Sequence, residues 1–261
     1  MKNFFKIIIP NYNNDEWLEK CINSILNQTF QDFHIIIIDD VSTDNSKDII
    51  LKLFNEHSDK ISYIFLNNKR FNGGTRNVGI EFDLNSEYTL FIDSDDSFVD
   101  NNCLQDIYDL IQSTKAECIR LSYNAIRGDN VIPVILTETT PAELVDNVNV
   151  ACWLKVVKTD LVQRFTENTL MEDAVYNIKQ CDVINSVVPI KKPIINWNRN
   201  NKNSTSINTN QQNNKWASSQ YRYCADLMDL KCNHDYCEKE RQARLNACIR
   251  NINNGRITQD K

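Results

Sequence analysis

The sequence predicts an α/β fold built on a mostly parallel central sheet flanked by helices. Short apolar runs at Lys6–Pro10, Phe33–Ile38 and Tyr88–Ile92 alternate with longer stretches of helical periodicity. Two of these runs stop abruptly in carboxylates, Asp39-Asp40 and Asp93-Ser94-Asp95-Asp96. Charge at the end of a buried strand does nothing for packing, whereas the carboxyl ends of strands are where open α/β sheets bind ligands. The 261 residues, 41% hydrophobic and 25% charged, suffice for one large domain or two joined halves.

In chain order, Lys6–Pro10 is the first strand rather than a leader peptide, being too short and lacking a small-residue cleavage site. Asn11-Tyr12-Asn13-Asn14 turns into a helix whose Leu18, Cys21, Ile22, Ile25 and Leu26 form one apolar stripe. Phe33–Ile38 is the second strand. Val41 to Asn45 caps a helix carrying Ile49, Ile50, Leu53 and Phe54, and Ile61–Leu66 is the third strand. Asn72-Gly73-Gly74 reads as a tight turn or a close backbone approach to a ligand, with Arg76 opening the next helix, where an anion is favoured. Beyond the acidic motif, Leu104, Ile107, Tyr108, Leu110 and Ile111 mark a helix, and Glu117–Asn124 and Val131–Leu136 mark two strands. Trp153–Val157 reads as strand or buried helix. Glu172-Asp173 opens a short helix through Ile178. Val187–Trp197 alternates poorly and is interrupted by Pro189 and Pro193, Asn198–Asn214 reads as a flexible polar loop, and Trp216–Ile252 has helical composition.

A net charge of −6 and a pI of about 5.2 argue against nucleic acid as a partner. No run approaches the roughly 18 apolar residues of a membrane span. The nine cysteines are an odd number, and most sit among apolar neighbours, as buried thiols do. That usage points to a reducing, cytoplasmic compartment. Cys224, Cys232, Cys237 and Cys248 cluster near His234 without the spacing of a zinc knuckle.

Carboxylate oxygens at a strand end suit a hard divalent cation, which commonly bridges carboxylates to phosphates. The plainer alternatives are a polar loop for Asp93–Asp96, a helix cap for Asp40, helix-start carboxylates favoured by the macrodipole for Glu172 and Asp173, and an aromatic packed under the sheet edge for Tyr12.

Five segments in order carry a family resemblance: Ile7-Ile8-Ile9-Pro10-Asn11-Tyr12-Asn13, Ile37-Ile38-Asp39-Asp40-Val41-Ser42-Thr43-Asp44, Gly74-Thr75-Arg76-Asn77, Asp93-Ser94-Asp95-Asp96 and Glu172-Asp173. Together, over roughly residues 4 to 205, they resemble the family 2 inverting glycosyltransferases of the glycosyltransferase-A fold. The resemblance implies a nucleotide-sugar donor, most often a UDP-sugar, and Mn or Mg as cofactor. It implies that Pro10 and Tyr12 line the base pocket and that Asp40, helped by Asp39, reads the base edge. Gly74, Arg76 and Ser94 fall in its nucleotide-binding segments. Asp93 would meet the ribose or the metal, and Asp95 would be the main metal ligand. Asp173 would be the catalytic base, with Glu172 orienting the acceptor. Arg199 would belong to a late segment that folds over the diphosphate. The sequence departs from the family pattern at Val41, where a glycine is usual, and at Trp197, where a tyrosine is common.

Such a reaction needs charge stabilised on the leaving phosphate and a proton removed from the acceptor hydroxyl, so the two acidic sites have separate work. Single displacement by one base inverts the anomeric carbon. Nucleotidyl transfer and non-catalytic nucleotide-sugar binding are the competing readings. The expected division is a catalytic domain over residues 1–205, with a nucleotide half about 1–100 and an acceptor half about 101–205, followed by a linker and helical extension over 206–261. The acceptor class is a glycan, lipid-linked or other hydroxyl. The basic tail is expected to pack on the body; a homodimer contact and a peripheral contact at the inner face of the membrane are its other options.

Overall fold

The computed structural model describes residues 3–146, 151–167, 169, 172–202 and 222–253. In chain order the strands are β1 (Asn3–Asn11), β2 (Phe33–Asp39), β3 (Ile61–Phe65), β4 (Ser86–Phe91), β5 (Ser97–Phe98), β6 (Cys118–Arg127), β7 (Asn130–Val134), β8 (Lys155–Lys158) and β9 (Val187–Asn198). The helices are α1 (Asp15–Leu26), α2 (Ser46–Glu56), α3 (Phe71–Glu81), α4 (Cys103–Thr114), α5 (Pro141–Asp146), α6 (Glu172–Cys181), α7 (222–229) and α8 (Asp235–Asn253). One nine-stranded sheet has the order β3-β2-β1-β4-β8-β6-β9-β5, with β7 paired to β6. Pairing is parallel from β3 to β4, and the rest is mixed: β8 runs antiparallel to β4 and β6, β9 parallel to β6, and β5 antiparallel to β9. This is a mixed α/β sheet flanked by helices, as the sequence implied.

The first strands are apolar on both faces because helices cover both. Phe5, Ile7 and Ile9 pack in the main core with Leu18, Ile22 and Ile50, whereas Ile8 packs on the opposite face with Phe91, Cys152, Phe165 and Tyr176. Two devices fix α3 under β1. Gly79 lets the helix backbone close on Ile8, since a Cβ there would lie 2.4 Å from its Cγ2. Lys6, buried inside β1, donates from Nζ to Ile80 O and Phe82 O, both at 2.8 Å, and so satisfies carbonyls at the end of the helix. Burial pulls the Lys6 pKa down to about 8, against the attraction of Asp83.

The structure corrects several expectations. Gly73 and Gly74 form no turn: both lie in the first turns of α3, and Arg76 is inside the helix rather than at its start. The close approach is to the protein's own backbone, because a Cβ on Gly73 would stand 2.2 Å from Thr166 O. Residues Val187–Asn198 form one continuous strand despite Pro189 and Pro193. Pro193 sits where the β6–β9 register shifts, and Pro189 lies on a stretch where β9 pairs with β6 alone. Neither proline therefore removes a ladder hydrogen bond from a strand paired on both sides. Trp153–Val157 resolves into a 3₁₀ turn, Cys152–Leu154, followed by β8. Of the expected polar loop 198–214, residues 198–202 are ordered against the body, and 203–214 lie outside the described residues.

Helices α7 and α8 share a second apolar cluster with α6: Tyr223, Cys224, Leu227, Cys237, Leu245 and Cys248 meet Ala174, Val175 and Ile178. Asp182, just beyond α6, accepts from Asn233 N and His234 N at 2.8 and 2.9 Å, which ties the start of α8 to the end of α6. Cys224 and Cys248 are joined as a disulfide. The seven other cysteines are free and six of them are buried, as the apolar settings of most cysteines implied. Among the described residues no helix is long and apolar enough to cross a membrane.

Candidate active site

The acidic segments converge where β1, β2 and β4 end. Asp39 closes β2, and its carboxylate accepts from Asn11 Nδ2 at 2.8 Å, Ser42 N at 2.9 Å and Ser42 Oγ at 2.5 Å. Asp40 accepts from the backbone N–H groups of Arg70 and Phe71, at 2.6 and 2.9 Å. Its carboxylate thus holds the start of α3, a capping role across strands rather than for the helix that follows it in sequence. Directly after them Val41 takes φ +64°, the left-handed region a glycine would occupy freely. A β-branched residue pays about 1–3 kcal/mol of strain there, and the hydrogen bonds of Asp39 and Asp40 hold it in place. Tyr12 is 47% exposed at the end of β1, with the Lys69 ammonium over its ring and Lys69 Nζ 3.8 Å from Asp40. Pro10 is buried in β1 opposite Ile38. A Cβ on Gly74 would stand 2.8 Å from Cβ of Arg70, the residue that precedes α3.

Arg76 is the hub. Only 1% exposed, it places Nη2 2.7 Å from Asp93, and Nη1 3.0 Å from Glu172 and 3.7 Å from Asp173. The guanidinium also stands 5.3 Å from the centre of the Phe165 ring, which stacks on Tyr176 at 4.0 Å. Next to it, Asn77 clamps the 165–167 segment by donating to Phe165 O at 3.0 Å and accepting from Phe165 N at 2.8 Å. This helix therefore joins the acidic motif after β4 to the acidic pair that opens α6. A buried arginine keeps its charge, and here it is paired with protein carboxylates rather than standing free for an anion.

Burial raises the proton affinity of carboxyls in both acidic sites. Burial, and then the neighbouring Asp173, push the Glu172 carboxyl up to about 7, with Arg76 opposing. Asp173 is raised by burial too, with Arg76 the main opposing influence. Its Oδ1 is buried and accepts no hydrogen bond, with Arg76 Nη1 the nearby positive charge at 3.7 Å. In the other site, burial followed by repulsion from Asp93 lifts Asp95 to about 6. Asp96 is raised further by burial and by Asp95; its Oδ1 accepts from Asn198 N at 2.8 Å, while its buried Oδ2 has no hydrogen-bond partner.

Two residues of this site escaped the sequence reading. Asn201 donates to Asp95 Oδ2 at 2.8 Å and to Asn14 Oδ1 at 3.0 Å, and Asn14 donates to Ser94 Oγ at 2.8 Å. Asn201 belongs to a stretch whose composition signals only a polar loop. Arg199, the expected cation of that stretch, is exposed and lies over the Trp197 ring at 4.8 Å.

The family model described as Glycosyl transferase family 2 matches residues 6–152. Among curated proteins, an uncharacterized glycosyltransferase of a Nostoc sp. strain is 37% identical over 124 residues, 48% of this chain and 38% of its own length. Poly(ribitol-phosphate) beta-N-acetylglucosaminyltransferase TarS of Staphylococcus aureus is 27% identical over 164 residues, 61% of this chain and 28% of its length. Glycosyltransferase GlyA of Streptococcus pneumoniae is 28% identical over 209 residues, 72% of this chain and 29% of its length. The chain therefore spans between 28% and 38% of the length of these relatives. In fold it is similar to S. aureus TarS 1–349 in complex with UDP-GlcNAc, with a TM-score of 0.73 at 19% identity over 97% of this chain and 73% of that one. It is also similar to a mannosyltransferase of Pyrobaculum calidifontis in complex with GDP-Man and Mn2+, with a TM-score of 0.62 at 11% identity over 100% of this chain and 77% of that one.

Proposed function

The chain belongs to glycosyl transferase family 2, and from that premise we propose that it moves a sugar from a nucleotide-sugar, a UDP-sugar first among them, to a hydroxyl of a glycan or glycoconjugate, with inversion. The names of TarS and of a poly(ribitol-phosphate) beta-glucosyltransferase of Bacillus spizizenii supply an acceptor class for testing, a polyol-phosphate polymer. The observation that carries the reading is the Arg76 hub, which holds the Asp93 motif and the Glu172–Asp173 pair on opposite sides of one guanidinium. A donor on the first and an acceptor on the second would be brought within reach of each other.

A divalent cation fits the donor side. Burial and then repulsion from Asp93 lift the Asp95 carboxyl to about 6, a repulsion that a bound cation would relieve. An all-oxygen donor set suits Mg2+ or Mn2+, and Asp93 and Asp95 are the residues that would hold it. When bound, such an ion neutralises charge on the leaving diphosphate.

The remaining work falls to side chains. Asp173 takes the acceptor proton as the hydroxyl attacks, and the positive charge of Arg76 beside it opposes the rise in proton affinity that burial causes. Glu172, held by Arg76, orients the acceptor. Tyr12, exposed beside the ends of β1 and β2, offers a ring face for the nucleotide base once Lys69 swings aside.

A screen of nucleotide sugars by calorimetry, with and without chelator, followed by a transfer assay, tests this. UDP should bind at least tenfold more weakly in chelator. Equal affinity overturns the cation, release of pyrophosphate marks nucleotidyl transfer instead, and binding with neither hydrolysis nor transfer marks a binding module.

A further inference from the structure

Asp95 is reached by a residue more than a hundred positions downstream. Asn201, 6% exposed, donates from Nδ2 to Asp95 Oδ2 at 2.8 Å and to Asn14 Oδ1 at 3.0 Å. Asn14, 7% exposed, donates onward from Nδ2 to Ser94 Oγ at 2.8 Å. The polarity of this chain is forced from one end. A carboxylate only accepts, so Asn201 must turn its NH₂ group to Asp95. Asn14 must then present its carbonyl oxygen to Asn201, which leaves its own NH₂ group for Ser94. No member can flip without stranding a buried polar group. One carboxylate oxygen is thereby held and the plane of the group fixed, so the direction of the second oxygen is set as well.

We propose that Asn201, braced by Asn14, is the positioning residue that aims Asp95 at a divalent cation, and that this strut sets how tightly the acidic motif holds the ion. The inference rests on the reading that Asp93 and Asp95 hold the cation. Carboxylate ligands are generally oriented by hydrogen bonds from groups behind them, and loss of such a group costs about 10–100-fold in metal affinity. The strut joins three distant parts of the chain: the turn before α1, the acidic motif, and the segment after β9. A bound cation and an ordered 198–202 segment should consequently support each other.

The test is a Mn2+ titration of the intact chain without nucleotide, followed by the electron paramagnetic resonance signal of free Mn2+. Asn201→Ala should weaken Mn2+ binding by about 10–100-fold. Asn14→Leu should weaken it by a smaller factor, and the double variant should be no weaker than Asn201→Ala alone, since both act through one contact. Asn14→Asp, which still accepts from Asn201, should bind at wild-type strength or tighter. If Asn201→Ala melts below the assay temperature, Asn201→Ser takes its place, with the same weakening expected. Wild-type affinity in Asn201→Ala, or additive losses in the double variant, overturns the strut. Absence of Mn2+ binding by the wild type overturns the cation reading itself and the strut's role with it.

Discussion

Arg76 and Asp93 meet at 2.7 Å across a guanidinium whose other terminal nitrogen contacts Glu172 at 3.0 Å. Removing this cation would leave three carboxylates facing one another in a poorly solvated place. Breaking a buried pair from one side costs about 3–5 kcal/mol. Arg76→Met should therefore lower the unfolding midpoint in urea by that equivalent and abolish transfer. Arg76→Lys should keep the charge yet lose the two-sided geometry, giving a folded protein with severely reduced turnover. A lysine variant with wild-type transfer would show that charge alone suffices.

Asp173→Asn keeps the size of the side chain and removes the basic oxygen. Donor affinity should stay within a factor of about three, while turnover falls by roughly two to four orders of magnitude, the range for loss of a general base. Pre-steady-state transfer with saturating donor is the measurement. A wild-type rate would leave Asp173 as a helix-start carboxylate only.

Glu172 binds its proton more tightly in the folded chain, with a pKa of about 7, than in the unfolded chain, at the ordinary 4.5. Between those values the folded state holds more protons, so stability falls as pH rises from about 4.5 to 7 and then levels. Glu172→Gln should remove part of that slope, on the order of 2 kcal/mol across the window. Urea melts at half-unit intervals from pH 4.5 to 8 would decide it, and an unchanged slope in the variant assigns the pH dependence elsewhere.

Gly73→Ala tests the packing that positions the acidic pair. Its Cβ would meet Thr166 O at 2.2 Å, Glu172 Cβ at 3.1 Å and Phe165 Cβ at 3.3 Å. Backbone cannot move aside as cheaply as a side-chain tip, so α3 and the 165–167 segment must separate. A loss of about 1–3 kcal/mol, the usual scale of overpacking, is expected together with reduced transfer. Full activity at wild-type stability would mean that the two segments part without disturbing Glu172.

The sheet was legible where pattern and role coincide. Ile7 to Ile9 and Ile35 to Ile38 are buried on both faces, and an uninterrupted apolar run is the signature of that environment. The carboxylates ending β2 and β4 stood out for the same reason. Gly73 and Gly74 were misread because glycine signals permission for a close approach without saying to what; here the partner is Thr166 O, far away in sequence. Strand β9 was hidden because proline is excluded only from strands paired on both sides, and pairing is a property of the assembled sheet. Asn14 and Asn201 were invisible because an amide acquires meaning from the carboxylate it faces, and nothing local in an asparagine-rich stretch marks one member. The partners of Arg76 follow the same logic: its charge was readable, whereas its enclosure by Asp93, Glu172 and Asp173 depends on how α3 and α6 pack.

The short strand β5 also constrains the site. Strands β4 and β5 are separated by four inter-strand steps in the sheet, about 19 Å along its surface. The chain crosses from Phe91 to Ser97, a path of at most about 20 Å if fully extended. It is not extended, because Asp96 N donates to Asp93 O at 2.9 Å, and Phe98 N is tied to Ser24 Oγ of α1 at 3.1 Å. The acidic motif is thus a chord drawn across an arc, and the arc formed by β8, β6 and β9 must bend for the chord to reach. The acids therefore lie on the connection that closes this arc, and the register shift at Pro193 lies within the arc itself.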